Sequence, residues 1–89
     1  MYKIELTSRA RRELDKLPEA YQERLQAILG QLSANPRPLG VRKLSGNTHR
    51  VRTGDWRVIY AVFDRDGLVL VGRIVRRSED TYDRVRDLF

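Results

Sequence analysis

Hydrophobic spacing changes several times along the chain, and each change predicts a different element. Tyr2, Ile4 and Leu6 alternate with polar residues, the period of a short strand with one buried face. From Thr7 or Ser8, either of which can cap a helix, Ala10, Leu14 and Leu17 follow at i, i+4 and i+7 and so share a helical face. Pro18 interrupts that helix and starts a second one. Its stripe of Tyr21, Leu25, Ile28, Leu29 and Leu32 keeps the helical period over about three turns, so the two helices form a hairpin.

The Pro- and Gly-containing stretch Asn35 to Gly40 reads as a loop, and beyond it the period drops to two. His49 to Thr53, Trp56 to Phe63 and Leu68 to Arg76 are rich in β-branched and aromatic residues. Gly54-Asp55 and Asp64-Arg65-Asp66-Gly67 separate them as turns, which makes an antiparallel meander. The latter two strands are apolar on both faces, as strands in the middle of a sheet are. Ser78 caps a last helix, with Glu79 and Asp80 at its positive end and Tyr82, Val85, Leu88 and Phe89 on its packing face. The expected order is β-α-α-β-β-β-α: an α+β fold in which a helical hairpin packs on a mainly antiparallel four-stranded sheet. Residues 1–89 are expected to form a single domain without internal repeats.

Composition narrows the function classes. A chain of 89 residues builds only a small core, so function is expected on a surface or in a shallow cleft. Without cysteine there is neither a disulfide framework nor a thiolate zinc site, and one histidine does not make a metal cage; no metal and no cofactor are expected. The longest apolar run, Val58 to Phe63, is far too short to span a bilayer, and the start has no basic-then-apolar signal pattern. The expected address is the cytoplasm, with no membrane partner.

Charge changes the picture more. The net charge is +6, and it is concentrated: residues 37–62 hold Arg37, Arg42, Lys43, Arg50, Arg52 and Arg57 against Asp55 alone, while the flanking segments nearly balance. Of the 18 basic residues 15 are arginine, whose planar fork grips phosphate oxygens bidentately and stacks on bases. Nucleic acid is the favoured partner; a solvated basic surface that keeps a small protein soluble is the plainer reading. Within the second predicted strand Arg50 and Arg52 share a face, with Val51 on the other. Arg57 opens the partner strand, and whether it shares that face depends on the hairpin register. Arg76 and Arg77 close the third strand, which returns near Arg57, so up to five arginines come together.

With these residues in view, the chain resembles the RelE toxins of the RelE/ParE toxin-antitoxin superfamily. The likeness runs from Ile4-Glu5-Leu6-Thr7-Ser8-Arg9-Ala10 and Glu13-Leu14-Asp15-Lys16-Leu17-Pro18 through Asn35-Pro36-Arg37-Pro38 and Lys43-Leu44-Ser45-Gly46. It continues through Arg50-Val51-Arg52-Thr53-Gly54-Asp55-Trp56-Arg57-Val58-Ile59-Tyr60 to Arg76-Arg77-Ser78-Glu79-Asp80-Thr81-Tyr82. The order and spacing of these pieces are specific, although no single piece is diagnostic. The resemblance implies the RelE/ParE toxin fold and a toxin that enters the A site of the 70S ribosome. There it would cut mRNA by attack of a ribose 2′-hydroxyl on the adjacent phosphate, held in check by a small RelB-like antitoxin. By position it implies a catalytic set of Arg50, Arg52, Arg57, Arg76 and Tyr82; Arg42, Lys43, His49 and Arg77 are expected beside it as further RNA contacts.

Such cleavage needs a deprotonated nucleophile, a stabilised phosphorane and a protonated leaving oxygen. Arginine serves the second need; with a pKa above about 12 it is no general base near neutral pH. Family members often carry lysine at the second-strand pair, where this chain has arginine twice, so Tyr82 and His49 remain the titratable candidates. Each has a plainer role, Tyr82 as a packing anchor for the last helix and His49 as a sheet-edge side chain. Trp56 and Tyr60 are expected in the core before any stacking role. Two rivals stand beside the nuclease: a ParE-like inhibitor of DNA gyrase that leaves RNA intact, and a nuclease-inactive module that binds only its antitoxin.

Overall fold

Thr7 is where the first strand becomes the first helix. β1 (Lys3–Leu6) runs parallel to the last strand with Leu6 opposite Val71, and the Thr7 backbone N–H donates to the Val71 carbonyl at 2.9 Å. The Thr7 hydroxyl accepts from the Ala10 N–H at 3.1 Å and donates to the Gly72 carbonyl at 3.0 Å. It thereby caps α1 (Ser8–Asp15) and fastens the cap to the sheet. Of the two capping residues the sequence offers, the structure uses Thr7. This computed structural model describes residues 1–76; the expected last helix, with Arg77 and Tyr82, lies outside the described residues.

α2 (Glu19–Ala34) starts after Pro18 as the spacing predicts. The bend between the helices is held by Gln22, whose side-chain amide donates to the Asp15 carbonyl at 3.2 Å and the Leu17 carbonyl at 2.9 Å, two acceptors that the end of α1 leaves unpaired within the helix. Gly30 lies in the middle of α2 on its exposed side, and a methyl group there would meet nothing within 4 Å. Gly30→Ala is therefore expected to stabilise the fold by about 0.5 to 1 kcal/mol, read as a higher midpoint in urea at unchanged slope.

The sheet has five strands rather than four, in the order β1-β5-β4-β3-β2. β3 (Thr48–Thr53), β4 (Trp56–Phe63) and β5 (Leu68–Arg76) match the expected meander closely. The strand missing from the expectation is β2 (Arg42–Ser45), which pairs antiparallel with β3 around the Gly46-Asn47 turn. It is four residues long and carries a bulge between Lys43 and Ser45, so it lacks the clean alternation that marks the others. β1 is the sheet's parallel member, and it sits at the edge opposite β2.

Both helices lie on one face of the sheet. Ala10, Leu14, Leu17, Leu25, Leu29 and Leu32 meet Val58, Tyr60, Val62, Val69, Val71 and Ile74 in one cluster. Period-2 alternation turns Ile59, Ala61 and Val75 to the reverse face, where they too are buried.

β5 outruns its parallel partner: β1 ends opposite Val71, and α1 takes over along the edge beyond it. There the Glu13 carboxylate accepts the Ile74 backbone N–H at 2.9 Å. It also takes the Arg73 Nε–H at 2.9 Å and the Arg73 Nη2 at 2.8 Å. One side chain thus satisfies a strand-edge donor and anchors a buried guanidinium.

Candidate functional site: an arginine face on the sheet

The register of the β3–β4 hairpin settles which way Arg57 points. Gly54-Asp55 is a two-residue loop with positive φ at Gly54 alone (+58°), as in type II′ hairpins, and it sets Thr53 opposite Trp56 and Arg52 opposite Arg57. Directly opposed residues share a face, so Arg50, Arg52 and Arg57 stand together on the reverse face, away from the helices. β2 adds a member whose face the sequence does not give: Arg42 is opposite Arg50. Four arginines from three adjacent strands therefore occupy one side of one end of the sheet. Arg50 is buried, Arg57 half-buried, and Arg42 and Arg52 are exposed, which grades the group from the interior to solvent.

The other named residues are placed differently. Arg76 closes β5 opposite Trp56, beside Val75, which opposes Arg57. Its guanidinium carbon lies 5.3 Å from the centroid of the Trp56 ring. Opposed residues share a face and Trp56 packs on Tyr21 of α2, so Arg76 lies on the helix-bearing side of the sheet, across it from the arginine face. Lys43 and His49 are opposed to each other and alternate away from the arginines.

His49 is buried and stacks on Tyr60, with ring centroids 5.7 Å apart and planes inclined by 21°. Its Nδ1–H donates to the Asn47 carbonyl at 3.0 Å, because a carbonyl only accepts. Burial lowers its pKa, against the raising effect of that hydrogen bond. The fold thus favours the neutral imidazole relative to the unfolded chain, so this residue subtracts stability as the solution is acidified through the ordinary histidine range.

Tyr60 shows the same logic at the alkaline end. Its hydroxyl is buried and donates to the Pro36 carbonyl at 2.7 Å, tying the Asn35–Gly40 loop to the core. Burial pushes its pKa up to about 12. An acid whose folded pKa is raised contributes stability that is intact below its unfolded pKa of 10 and is lost as pH climbs from there to about 12. The expected loss is about 2 to 3 kcal/mol across that window, and Tyr60→Phe should flatten it; equilibrium unfolding at stepped pH measures both.

Arg37 belongs to the basic segment but not to the arginine face. It grips Asp64 with two hydrogen bonds of 3.2 and 2.8 Å, and Tyr2 donates its hydroxyl to the same carboxylate at 2.6 Å. Arg37 and then Tyr2 hold the Asp64 carboxyl below its usual range, while the carboxylate raises the Tyr2 pKa. The clasp joins the loop before β2 to the β4–β5 turn. Being exposed, it fixes geometry more than it adds stability.

Sequence reasoning named Arg42 but missed the strand that places it, and it missed the Glu13–Arg73 pair. Arg42 was legible as charge but not as a face; the signal was Gly46-Asn47, a turn dipeptide four residues further on. The Glu13–Arg73 pair left no signal, since its partners are 60 residues apart. Among the described residues no group of three or more His, Cys, Asp or Glu side chains is placed to hold a metal ion, and no helix is long and apolar enough to cross a membrane.

Comparison with known proteins places this geometry in a family. Residues 4–81 match the family model described as the ParE toxin of type II toxin-antitoxin systems, parDE. The toxin RelE of Mycobacterium tuberculosis is 36% identical over 80 residues, covering 86% of this chain and 82% of that protein. Among solved structures, the archaeal RelE–RelB complex from Pyrococcus horikoshii superposes with a TM-score of 0.81 at 28% identity, covering 89% of this chain and 98% of that one. The toxin-antitoxin complex RelBE2 from Mycobacterium tuberculosis gives 0.76 at 28% identity, with 88% and 93% covered. The family match, the curated relative and the shared fold agree, and the chain belongs to the RelE family of toxins within the RelE/ParE superfamily of type II toxin-antitoxin systems.

Proposed function

We propose that this toxin is a ribosome-dependent endoribonuclease that cuts mRNA in the A site and so stops translation in the cytoplasm. The observation that carries the reading is the cross-strand alignment of Arg42 with Arg50 and Arg52 with Arg57 on one sheet face. Arginine forks aligned along one face present a phosphate backbone with a row of charged two-point donors. The RelE relatives support the same class of activity.

In the proposed reaction the 2′-hydroxyl attacks the adjacent phosphorus, the bond to the 5′-oxygen breaks, and a 2′,3′-cyclic phosphate and a 5′-hydroxyl end result; the proton lost by the 2′-oxygen is balanced by one gained at the leaving oxygen. Arg57 and Arg52 hold the non-bridging oxygens and stabilise the charge that builds in the phosphorane. Exposed Arg42 positions the flanking backbone, and buried Arg50 strengthens the field from beneath. Arg76, on the helix-bearing side of the sheet with Trp56, joins the set by resemblance. Tyr82 and Arg77 complete the set by resemblance; Tyr82 stacks on a base or orients the 2′-hydroxyl. Lys43 and His49 alternate to the other side of the sheet, and any RNA contact they make is outside this grip. Much of the acceleration then comes from holding the message in line for attack. No metal or cofactor enters these steps.

The partner is proposed to be a RelB-like antitoxin, in keeping with the RelE–RelB complex from Pyrococcus horikoshii and the RelBE2 complex. An acidic or amphipathic element laid over the arginine face would compete with the message for the same charges. A gyrase-directed reading is favoured by one observation, the match to the ParE family model. Purified toxin on ribosomes programmed with a defined message, with 5′ ends mapped and a supercoiling assay run in parallel, separates the two. Cuts confined to the A-site codon, weaker with Tyr82→Phe, support the nuclease; intact message with blocked supercoiling supports the rival, and neither effect leaves an antitoxin-binding module.

A further inference from the structure

Glu13 marks the place where the arginine face reaches the edge of the sheet. Arg73 is opposite Ile59, and Ile59 is opposite Arg50 on its other side, so Arg73 shares the face of Arg50 and Arg42. At the end of that row Arg73 meets the Glu13 carboxylate of α1 at 2.8 Å. α1 therefore borders the arginine face along the edge of β5.

On α1 the exposed cations form a stripe beside Glu13. Arg9, Arg12 and Lys16, the residue that caps the helix, follow at i, i+3 and i+7, and Glu13 stands four places after Arg9 and three before Lys16. All three are exposed, and among the described residues none of them has a carboxylate partner. The partner that helical spacing offers to Arg9 and Lys16 is Glu13, and its oxygens are taken by Arg73 and Ile74. Arg9 is also set against the helix dipole, because the first turn holds Arg9 and Arg11 and no acidic residue, at the end where anions are favoured. An anion from outside the chain would offset that placement.

We infer that Arg9, Arg12 and Lys16 dock the toxin on the phosphate backbone of folded ribosomal RNA, round the sheet edge from the message held on the arginine face. The inference rests on the proposed action at the ribosome and adds a second contact to it. The row is about 10 Å long on a rigid helix, and α1 carries no aromatic side chain on which a base could stack. Single strands are gripped by stacking as well as by charge, whereas a duplex is met through its phosphates. The stripe therefore suits the RNA wall of the site rather than the message.

The test titrates toxin onto ribosomes with and without a defined message over a range of monovalent salt, and follows single-turnover cleavage at saturating ribosomes. It compares the parent with Arg9→Ala, Arg12→Ala, Lys16→Ala and, as a control, Arg11→Ala. Arg11 is exposed on α1 but about 160° round the helix from Arg9, so its loss removes the same charge away from the stripe. Each stripe variant is expected to bind about two- to fivefold more weakly, with the log–log salt slope lower by about 0.9 for each duplex phosphate released, with or without message. Arg11→Ala should bind as the parent does, while the saturated rate stays constant and the thermal midpoint holds or rises throughout. Parental affinity in every stripe variant overturns the dock. Losses seen only with message also overturn it, since the stripe would then grip the message, and so do losses that Arg11→Ala shares, which reflect net charge alone. A parent toxin that binds message-free ribosomes in the expected pattern yet leaves the message intact removes the nuclease reading and leaves the dock standing; one that binds no ribosomes removes both.

Discussion

Arg57→Ala is expected to slow cleavage of the A-site codon by about 10²- to 10³-fold, the largest effect on activity of any single change within the described residues. Arg57 is half-buried in the sheet, opposite Arg52 on one strand and Val75 on the other, so its stem is packed between two strands before any message arrives. A donor fixed in advance costs no reorganisation when the phosphorane's charge develops, which is why its loss falls on the chemical step. Arg57→Lys tests that account: it keeps the charge and gives up the planar two-point grip, and should recover only a small part of the rate. Toxin binding to programmed ribosomes should become less salt-sensitive, by roughly 0.7 in the log–log slope for each single-strand phosphate that Arg57→Ala no longer neutralises. A variant that cuts at the parental rate would remove Arg57 from the mechanism; one that fails to fold would mean the residue is structural.

The largest expected effect on stability belongs to Glu13→Ala, about 3 kcal/mol. The substitution removes the carboxylate that meets Arg73 at 2.8 Å, where the guanidinium is only 9% exposed, and it takes the acceptor from the Ile74 N–H at the edge of β5. A buried cation and an edge N–H are then deprived of the same partner at once, which costs more than breaking a surface ion pair. Glu13→Gln divides the loss: its amide oxygen still accepts from Ile74 but carries no charge for Arg73, so it should fall between Ala and the parent. Urea unfolding of the three proteins measures this. If Glu13→Ala shifts the midpoint no more than a surface substitution does, the pair is not holding the strand edge. Because Arg76 lies further along the same strand as Arg73, Glu13→Ala should also lower activity when assayed close to its melting range.

Most of the architecture was legible because it rests on local spacing. The stripe Leu25, Leu29, Leu32 and the strands Trp56–Phe63 and Leu68–Arg76 each repeat their own period for long enough to declare it. β2 was not legible, since four residues interrupted by a bulge give no period to read. The charge cluster was visible as composition, but charge along a chain does not say which way a side chain points. Arg50 and Arg52 followed from alternation alone. Arg37, counted in the same basic segment, proved to be engaged with Asp64, 27 residues away. His49, a candidate for proton transfer, is stacked against Tyr60 on the side away from the arginines, a placement set by pairing partners that sequence does not name.

The order of residues by itself determined the elements, the core stripes, the excess of arginine and the likeness to a toxin family, since each of these is a matter of near neighbours or of composition. Only the tertiary structure decided that Arg57 joins Arg52, that a short edge strand brings Arg42 to Arg50, and that Arg76 stands apart on the Trp56 ring. Those outcomes depend on hairpin register and strand order, where a slip of one residue would send every side chain to the opposite face.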